Sequence, residues 1–345
     1  MKVLLIGGTG FMGPSTVKYL LQSGHQVTVF HRGTNAGPEG ATEIVGDHHA
    51  LEQNRAKFER GHFDVVVDFI LSSERQAQRL MNLFRGIAGR VVAISSMDVY
   101  RAMGLVHGTE TGPPQALPLT EESELRRNRN TYSPEAMAKV RAVYPWVDDS
   151  YDKIPVEEAA LGDRDLPGTV LRLPMVYGPG DPLHRFHYIL KRIDDDRKFI
   201  IFSDDVAAWR TPRGFNENVG AAISLAATSD SAVGKVYNIC EEPCFSELEW
   251  ARKIADAVGW TGEFIVLPRD RAPQHLRFPA RLEQHLTATS RRLREELGFS
   301  DPILPLEAIR RTIDWERANQ PEVPLNFPFD YAQEDHTLAQ FKASA

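Results

Sequence analysis

Three glycines near the start of the chain, Gly7, Gly10 and Gly13, have a spacing that could bind a phosphate group. The apolar run Lys2–Ile6 before them predicts a buried β-strand, and the apolar spacing within residues 17–21 predicts a helix after them. In a strand–turn–helix of this kind, backbone N–H groups and the helix N-terminus face a pyrophosphate that a side chain would obstruct. The pattern therefore predicts a dinucleotide-binding turn, and the alternative is an ordinary glycine-rich turn.

The residue after the second predicted strand bears on which dinucleotide binds. Residues 26–30 predict that strand, and His31, Arg32 and Gly33 follow it, where a site selective for NAD would place Asp or Glu against the ribose hydroxyls. An arginine can instead pair with a 2′-phosphate through its planar guanidinium. We therefore expect NADP(H) to be preferred, with NAD(H) as the second choice. The alternative for Arg32 is a solvated surface side chain.

The elements that would position these residues follow from the apolar pattern of the first half. Further β-branched runs, separated by helical stretches such as residues 76–84, stand at residues 43–45, 64–69, 90–94 and 168–173. Such strands are buried on both faces, and βαβ connections place helices on both sides of a parallel sheet. We predict an α/β fold: a doubly wound parallel sheet (Rossmann) with a smaller, mostly helical C-terminal substrate subdomain.

Composition shifts suggest how the chain divides into regions. The predicted regions are a dinucleotide-binding Rossmann domain at 1–180, to which 205–245 returns, a substrate-binding subdomain at 181–204 and 246–330, and a tail at 331–345. Residues 101–149 predict a long excursion into the cleft, with one helix at 134–143. The proline-rich chain from residue 321 onward predicts an extended strap or partial disorder.

Composition and charge argue against several other classes of protein. The 345 residues are 42% hydrophobic and 25% charged, which is ample for a core and excludes a disordered tail or a disulfide mini-scaffold. The net charge of -7, without a basic block beyond residues 126–129, does not favour nucleic acid as a partner. Cys240 and Cys244 alone do not indicate a metal site. Without an apolar leader or bilayer-length segment, we expect a cytoplasmic protein, with a homodimer possible.

Further motifs are spread along nearly the whole chain. They are Gly46-Asp47, SSMDVY at residues 95–100, PLTEE at 118–122, the segment 172–180, and TSRRLREELGF at 289–299. Together with the glycine spacing, the chain resembles the extended short-chain dehydrogenase/reductase family, the NAD(P)-dependent epimerase/dehydratase group that includes nucleotide-sugar epimerases. The resemblance implies that Asp47 contacts the adenine and that the loop at residues 69–71 runs beside the cofactor. The expected cofactor-binding residues are Gly7, Gly10, Phe11, Met12, Gly13, Arg32, Asp47, His48, Phe69, Ile70, Leu71, Lys153 and Met175.

The resemblance also implies a catalytic Ser, Tyr and Lys. In that family the Ser and Tyr hydrogen-bond the substrate oxygen, and a Lys four residues after the Tyr lowers the pKa of the phenol and holds the nicotinamide ribose. The Tyr then acts as general acid/base. Ser96 matches the serine because it precedes x-x-Val-Tyr, although a strand-end hydroxyl that caps a turn is the alternative. Tyr151 and Lys153 match the catalytic tyrosine and lysine in residue type, but they are two residues apart instead of four.

That separation leaves two assignments of the catalytic acid open. Residues two apart on a helix lie on nearly opposite sides, so Tyr151 and Lys153 cannot cooperate if both are helical. The Lys-x-x-Val-Glu pattern favours a helix that begins near Lys153, with Pro155 in its first turn. Tyr151 would then lie in the preceding loop, with its hydroxyl near Ser96 and its pKa below that of free tyrosine. The alternative is an altered or absent catalytic acid.

The segment at residues 172–177 departs from the nucleotide-sugar members, since Met175 replaces the family's Asn and a hydrogen-bonding amide is lost. Other polar residues that could line the cleft are His184, Arg185, His187, Arg210 and Arg213. Our leading hypothesis is an NAD(P)-dependent oxidoreductase or epimerase-like enzyme that acts on a hydroxyl or carbonyl of a polar, sugar-like small molecule. The rival hypothesis is a catalytically degraded dinucleotide-binding protein, regulatory or RNA-associated, of the same fold.

Overall fold

Parallel strands and the helices between them make up most of the fold. The computed structural model describes residues 1–129, 132–321 and 329–343. The strands of these residues are β1 (Lys2–Ile6), β2 (Gln26–His31), β3 (Thr42–Val45), β4 (Val65–Asp68), β5 (Arg90–Ser96), β6 (Gly168–Leu173), β7 (Met175–Tyr177), β8 (Phe199–Ser203), β9 (Arg213–Phe215), β10 (Val236–Asn238) and β11 (Glu263–Leu267).

The helices connect and cover these strands. They are α1 (Gly13–Gln22), α2 (Arg55–Gly61), α3 (Glu74–Phe84), α4 (Arg101–Val106), α5 (Pro134–Val143), α6 (Lys153–Gly162), α7 (His187–Asp194), α8 (Asp204–Ala208), α9 (Asn216–Thr228), α10 (Glu247–Val258), α11 (Arg291–Leu297), α12 (Pro305–Ala318) and α13 (Tyr331–Ala343). None of the described helices is long and apolar enough to cross a membrane.

Seven strands form one sheet in the order β10-β6-β5-β4-β1-β2-β3, and every neighbouring pair is parallel. This arrangement follows from apolar runs that are largely buried on both faces of the sheet, in β1, β2, β4, β5 and β6. The same expectation is wrong for β3, which lies at the edge with one neighbouring strand and has three of its four residues exposed. In β1, Val3 and Leu5 pack into one core cluster, whereas Leu4 and Ile6 pack into the other. The predicted doubly wound parallel sheet is confirmed, and its carboxyl edge is where ligands of open α/β sheets bind.

The C-terminal half adds a mostly helical region around its own aromatic core. That core contains Tyr177, Phe186 and Trp250, together with apolar residues of α7, α10 and α12. Two small parallel pairs, β7 with β9 and β8 with β11, belong to this half of the chain. These pairs could not be predicted from the sequence, because runs of three to five residues do not distinguish a short strand from a loop.

The expectation for the tail is wrong where the structure describes it. Residues 331–343 form α13 rather than an extended strap or disordered chain. Glu334 on this helix is fully buried against the equally buried Arg192, and Leu338 packs with Ile201 and Leu267. Tertiary contacts of this kind stabilise a helix whose sequence alone is a weak predictor. Residues 322–328 and 344–345 of the predicted tail lie outside the described residues.

Candidate active site

A cleft of about 670 Å³ lies at the carboxyl edge of the sheet. The turn after β1, the loop after β4, the end of β5, the start of α6 and β7 all contribute to its wall. The predicted site residues that line it are Gly7, Gly10, Phe11, Met12, Gly13, Phe69, Ile70, Ser96, Tyr151, Lys153 and Met175. The structure therefore brings most of the predicted residues to one place, although they come from five separate segments of the chain.

Four predicted cofactor-binding residues do not line this cleft. Arg32 is exposed at the end of β2, and Asn35, which the sequence analysis did not single out, lines the cleft three residues later. Asp47 is exposed and accepts a hydrogen bond from the His49 amide at 2.9 Å. The buried His48 has its Nε2 at 3.5 Å from Oδ2 of Asp68. Leu71 is buried and contributes its carbonyl to the site.

The glycine turn has the close approach that a dinucleotide cradle requires. Gly7 has φ +83°, a left-handed conformation that favours glycine, and a Cβ on Gly13 would lie 2.2 Å from the carbonyl oxygen of Gly8. Helix α1 begins at Gly13 without a side-chain cap on its first N–H groups. A Cβ on Gly10 would meet nothing closer than 3.9 Å. The turn thus leaves backbone donors and open space together, which fits the pyrophosphate of a dinucleotide.

Lys153 begins α6 and reaches back to the sheet. The side chain of Asp152 caps the helix by accepting a hydrogen bond from the Ile154 amide at 3.1 Å. The buried Lys153 ammonium donates to the carbonyl of Leu71 and, at 2.9 Å, to that of Ile94. These bonds use two of its three N–H donors. Burial lowers the pKa of Lys153 to about 8.

Tyr151 lies in the loop before α6, and its hydroxyl is held by a carboxylate. The hydroxyl donates to Oδ2 of Asp98 at 2.6 Å, and the Tyr132 hydroxyl donates to the same oxygen at 3.2 Å. Burial, and then the negative charge of Asp98, raise the pKa of Tyr151 well above 10. The expectation of a lowered pKa is therefore wrong, because the nearest charge is this carboxylate and the Lys153 ammonium is bonded to backbone carbonyls.

Asp98 is a member of the site that the sequence analysis missed as a functional residue. It is buried in the turn after β5, where its amide donates to the Ser96 hydroxyl at 3.2 Å. Ser96 therefore caps this turn as well as lining the cleft. Arg126 donates to the Asp98 carbonyl at 2.5 Å, and one of its nitrogens lies 3.9 Å from Oδ1. The signal in the sequence was an acidic residue between Ser96 and Tyr100.

A buried network fixes the elements that carry these side chains. Arg172 of β6 pairs with Glu157 of α6 at 2.7 Å, and the Ser95 hydroxyl of β5 donates to Glu157 at 2.5 Å. Arg172 also donates to the Tyr100 hydroxyl at 3.0 Å. One turn of α6 separates Glu157 from Lys153, so the network positions the lysine as well. It holds α6 against the strand that ends at Ser96.

Of the other polar residues that could line the cleft, His184, His187 and Arg213 line the cavity beside it instead. Tyr144 and Arg185 line the cleft, and burial raises the pKa of Tyr144. Asp149 is exposed and forms an ion pair with Arg141 at 2.8 Å. Arg210 pairs with Glu249 at 2.8 Å and lines neither this cleft nor the cavity beside it. The described residues contain no cluster of three metal-ligating side chains.

The chain matches the model of a known protein family, and its fold matches those of solved structures. The model of the NAD-dependent epimerase/dehydratase family matches residues 3–240. The chain has 18% identity and a TM-score of 0.65 with dTDP-glucose 4,6-dehydratase from Bacillus anthracis in complex with NAD, over 94% of this chain and 99% of that one. At such identity the similarity establishes the fold. No curated protein sequence matches the chain.

Two further solved structures have the same fold. UDP-glucose 4-epimerase from Thermotoga maritima, with UDP-glucose, has 17% identity and a TM-score of 0.62, over 92% of this chain and 99% of that one. UDP-glucuronic acid 4-epimerase from Bacillus cereus, with UDP-glucuronic acid and NAD, has 17% identity and a TM-score of 0.63 over the same shares. All three similarities span nearly the whole length of both chains.

Proposed function

Because the chain belongs to the NAD-dependent epimerase/dehydratase family, we propose that it oxidises a hydroxyl or reduces a carbonyl of a polar, sugar-like small molecule. The observation that carries the proposal is the shared cleft. It joins a glycine turn fit for a dinucleotide to a hydroxyl, a phenol and an ammonium, on Ser96, Tyr151 and Lys153. These are the groups needed to hold an alcohol oxygen and to move its proton.

The residues that would hold the dinucleotide are the glycine turn, the loop at residues 69–71 and Lys153. The turn offers backbone donors to the pyrophosphate, and the remaining N–H of Lys153 is available to a ribose hydroxyl. When bound, the cofactor supplies the carbon that accepts or donates hydride. Phe69 and Ile70 give this part of the cleft an apolar surface that excludes water.

The proton passes between the substrate oxygen and Asp98 by way of Tyr151. In the oxidation direction, the substrate O–H bond breaks as an O–H bond forms on Tyr151, and the tyrosine's own proton moves to Oδ2 of Asp98 over the 2.6 Å hydrogen bond. The tyrosine stays neutral overall, which agrees with a pKa that is raised well above 10. Reduction runs the same transfers in reverse. Ser96 holds the substrate oxygen beside the phenol.

NADP(H) is the proposed cofactor, with NAD(H) as the weaker ligand. Support comes from the exposed Arg32 at the end of β2, where no acidic residue stands at positions 31–33. The nearby carboxylate of Glu43 accepts hydrogen bonds from His31 at 2.8 Å and from the Gly37 amide at 3.2 Å. Arg32 is thus the cation that a 2′-phosphate would meet.

A turnover screen tests the proposed activity. The protein, saturated in turn with NADP⁺, NADPH, NAD⁺ and NADH, is mixed with sugar nucleotides, free sugars and simple alcohols and ketones. Absorbance of the reduced nicotinamide reports net or transient hydride transfer, and NMR of the products reports epimerisation or loss of water. We expect at least one hydroxyl or carbonyl compound to react. A protein that binds the dinucleotide but transforms none of them would instead be the degraded, regulatory or RNA-associated protein of the rival hypothesis.

A further inference from the structure

A second cavity adjoins the cleft on the side of the C-terminal half. It has a volume of about 260 Å³ and shares Met175, Leu183 and Arg185 with the cleft as common wall. A molecule whose reacting carbon lies near Tyr151 could therefore extend into it. A cavity of roughly 150 Å³ already holds a benzene ring in other proteins, so this one has room for an aromatic group of one or two rings.

The walls of the second cavity are mainly aromatic and aliphatic. They include the rings of Phe202, Trp209, Phe278 and Phe329 and the side chains of Val206, Leu276 and Leu282. Trp209 and Phe278 are stacked at 6.1 Å between ring centroids, and the Trp209 indole nitrogen donates to the Gln284 carbonyl at 3.0 Å. The polar edge of the indole is thus satisfied within the protein, and such a surface favours an apolar occupant.

The charged groups on the wall are neutralised within the protein. Arg213 pairs with Glu247 at 2.6 Å and its guanidinium lies over the Trp250 ring at 4.8 Å. Arg185 pairs with the buried Asp181 at 2.6 Å.

The histidines of this wall do not offer a free cation either. His184 pairs with Glu316 at 2.8 Å, and burial lowers the pKa of His187, which favours its neutral ring. Glu247 adds a carboxylate to the wall. A diphosphate needs accessible cations or N–H donors, and its charge is costly to bury without them. The Arg213 Nε has no hydrogen-bond partner among the described residues, but it is buried and has almost no surface to offer a ligand.

We infer that the substrate is amphipathic, with its reacting hydroxyl or carbonyl at the Tyr151 end and an aromatic or similar apolar group in the second cavity. This inference rests on the proposed function for the position of the reacting end. Such a substrate differs from the UDP-sugars of the UDP-glucose and UDP-glucuronic acid epimerases with this fold, because a nucleoside diphosphate does not suit this cavity. The apolar group, rather than a phosphate, provides the binding free energy away from the reacting carbon.

Binding of two probes to the full chain tests this inference. The protein is first saturated with NADP⁺ so that the glycine turn is occupied, and 2-naphthol and UDP are then titrated calorimetrically. We expect 2-naphthol to bind about tenfold or more tightly than UDP. Val206→Trp should weaken 2-naphthol binding by about tenfold, because the larger ring fills the cavity. Val266→Trp adds the same ring at an exposed position of β11 and should change nothing.

Unchanged NADP⁺ affinity reports that each variant is folded, and Val206→Phe replaces Val206→Trp if the larger ring prevents folding. Tighter binding of UDP than of 2-naphthol would overturn the inference, as would 2-naphthol binding that neither Val206 variant weakens. Because these measurements record binding and not turnover, they separate the two proposals. An apolar ligand in this cavity with no reaction in the turnover screen would contradict the proposed function alone.

Discussion

A tyrosine whose hydroxyl donates to a carboxylate is a weaker acid than a tyrosine beside an ammonium. The Asp98 carboxylate stabilises the protonated phenol of Tyr151, so a free phenolate is disfavoured at neutral pH. Proton transfer through Tyr151 then requires that Asp98 take up the tyrosine's own proton. The Lys153 ammonium is bound to the carbonyls of Leu71 and Ile94, and in the proposed function its remaining N–H would position the cofactor ribose.

A single substitution at Arg32 tests which dinucleotide the protein prefers. Arg32→Asp should reverse the preference from NADP(H) to NAD(H), because loss of a charge-assisted hydrogen bond costs about 1.5–3 kcal/mol and the new carboxylate repels the 2′-phosphate. Calorimetric titration with both dinucleotides measures the effect. Arg60→Asp makes the same charge change at an exposed position of α2 and should leave both affinities unchanged. Equal NADP(H) affinity in wild type and Arg32→Asp would remove Arg32 from the site.

The sequence predicted part of this site because local rules decide it. Pro155 and the spacing after Lys153 predicted a helix that starts at Lys153 and leaves Tyr151 in the loop, as the structure has it. The partner of Tyr151 could not be predicted, since Asp98 lies on a different segment and only the folded sheet brings the two together. The direction of the pKa shift depends on that partner.

The turn between β1 and α1 and the start of α6 both line the cleft at one edge of the sheet. The first is held by backbone contacts that only glycine permits, as the 2.2 Å approach at Gly13 shows. The second is held by the pair of Glu157 and Arg172, which fastens α6 to β6. Each element is therefore fixed independently of any ligand, which favours a preformed site.

Gly10→Val tests the turn as a binding element. No neighbour is closer than 3.9 Å to a Cβ at this position, so the fold should remain while the side chain enters the path of the pyrophosphate. We expect dinucleotide binding to be lost and the circular dichroism spectrum to be unchanged. Gly162→Val, at another position with open space around a Cβ, is the control and should bind normally. Normal cofactor binding by Gly10→Val would place the dinucleotide elsewhere.

The junction of β7 and β9 should make stability depend on pH. Glu241 accepts hydrogen bonds from the Tyr177 hydroxyl at 3.1 Å and the Phe215 amide at 2.9 Å, and burial raises its pKa from 4.5 to about 7. The folded protein therefore binds this proton more tightly than the unfolded chain does. The contribution of Glu241 to the free energy of unfolding is fully present below about pH 4.5 and is lost as the pH rises through about 7.

Glu241→Gln keeps an acceptor oxygen but does not titrate. Between pH 5 and 8, denaturant unfolding should show the wild type losing about 2–3 kcal/mol relative to this variant. Glu263→Gln, at an exposed position of β11, should follow the wild-type curve. Parallel pH profiles for wild type and Glu241→Gln would show that Glu241 ionises at its ordinary pKa.

Helix α13 packs into the C-terminal half of the protein through a buried ion pair. Helix α13 brings Glu334 to Arg192, and both side chains are fully buried. The Arg192 guanidinium also lies 4.2 Å from the ring centroid of Tyr188 and 4.7 Å from that of Phe329, two residues of the second cavity. Arg192 therefore contacts both α13, through Glu334, and the wall of the second cavity, through Tyr188 and Phe329.

Glu334→Ala should destabilise the protein by about 3–5 kcal/mol, because it leaves a buried guanidinium without its partner. Glu295→Ala removes the partner of an exposed ion pair with Arg291 and should cost under about 1 kcal/mol. Chemical unfolding measures both variants. The double variant Arg192→Met, Glu334→Leu should recover much of the loss, and a Glu334→Ala variant as stable as the wild type would show that α13 does not support the fold.

The sheet topology could be predicted from the sequence, whereas the packing of α13 against the C-terminal half could not. Six apolar, β-branched runs and a glycine turn leave few topologies besides a doubly wound sheet. The tail carries no comparable pattern, and α13 is stabilised by a charge pair whose partner Arg192 lies far away in sequence. The second cavity is equally a product of tertiary packing, since its walls come from α7, β8, α8 and the segment around Phe278.

The proposed proton transfer through Tyr151 is tested by the single-turnover rate of hydride transfer in Tyr151→Phe, measured with the substrate that the turnover screen identifies. We predict a rate about 10²–10⁴-fold below that of the wild type with nearly unchanged cofactor affinity, because only the transferring proton is removed. Tyr144→Phe changes another tyrosine of the same cleft and should retain most of the rate. Full turnover by Tyr151→Phe would contradict this proton transfer, since another group would then carry the proton.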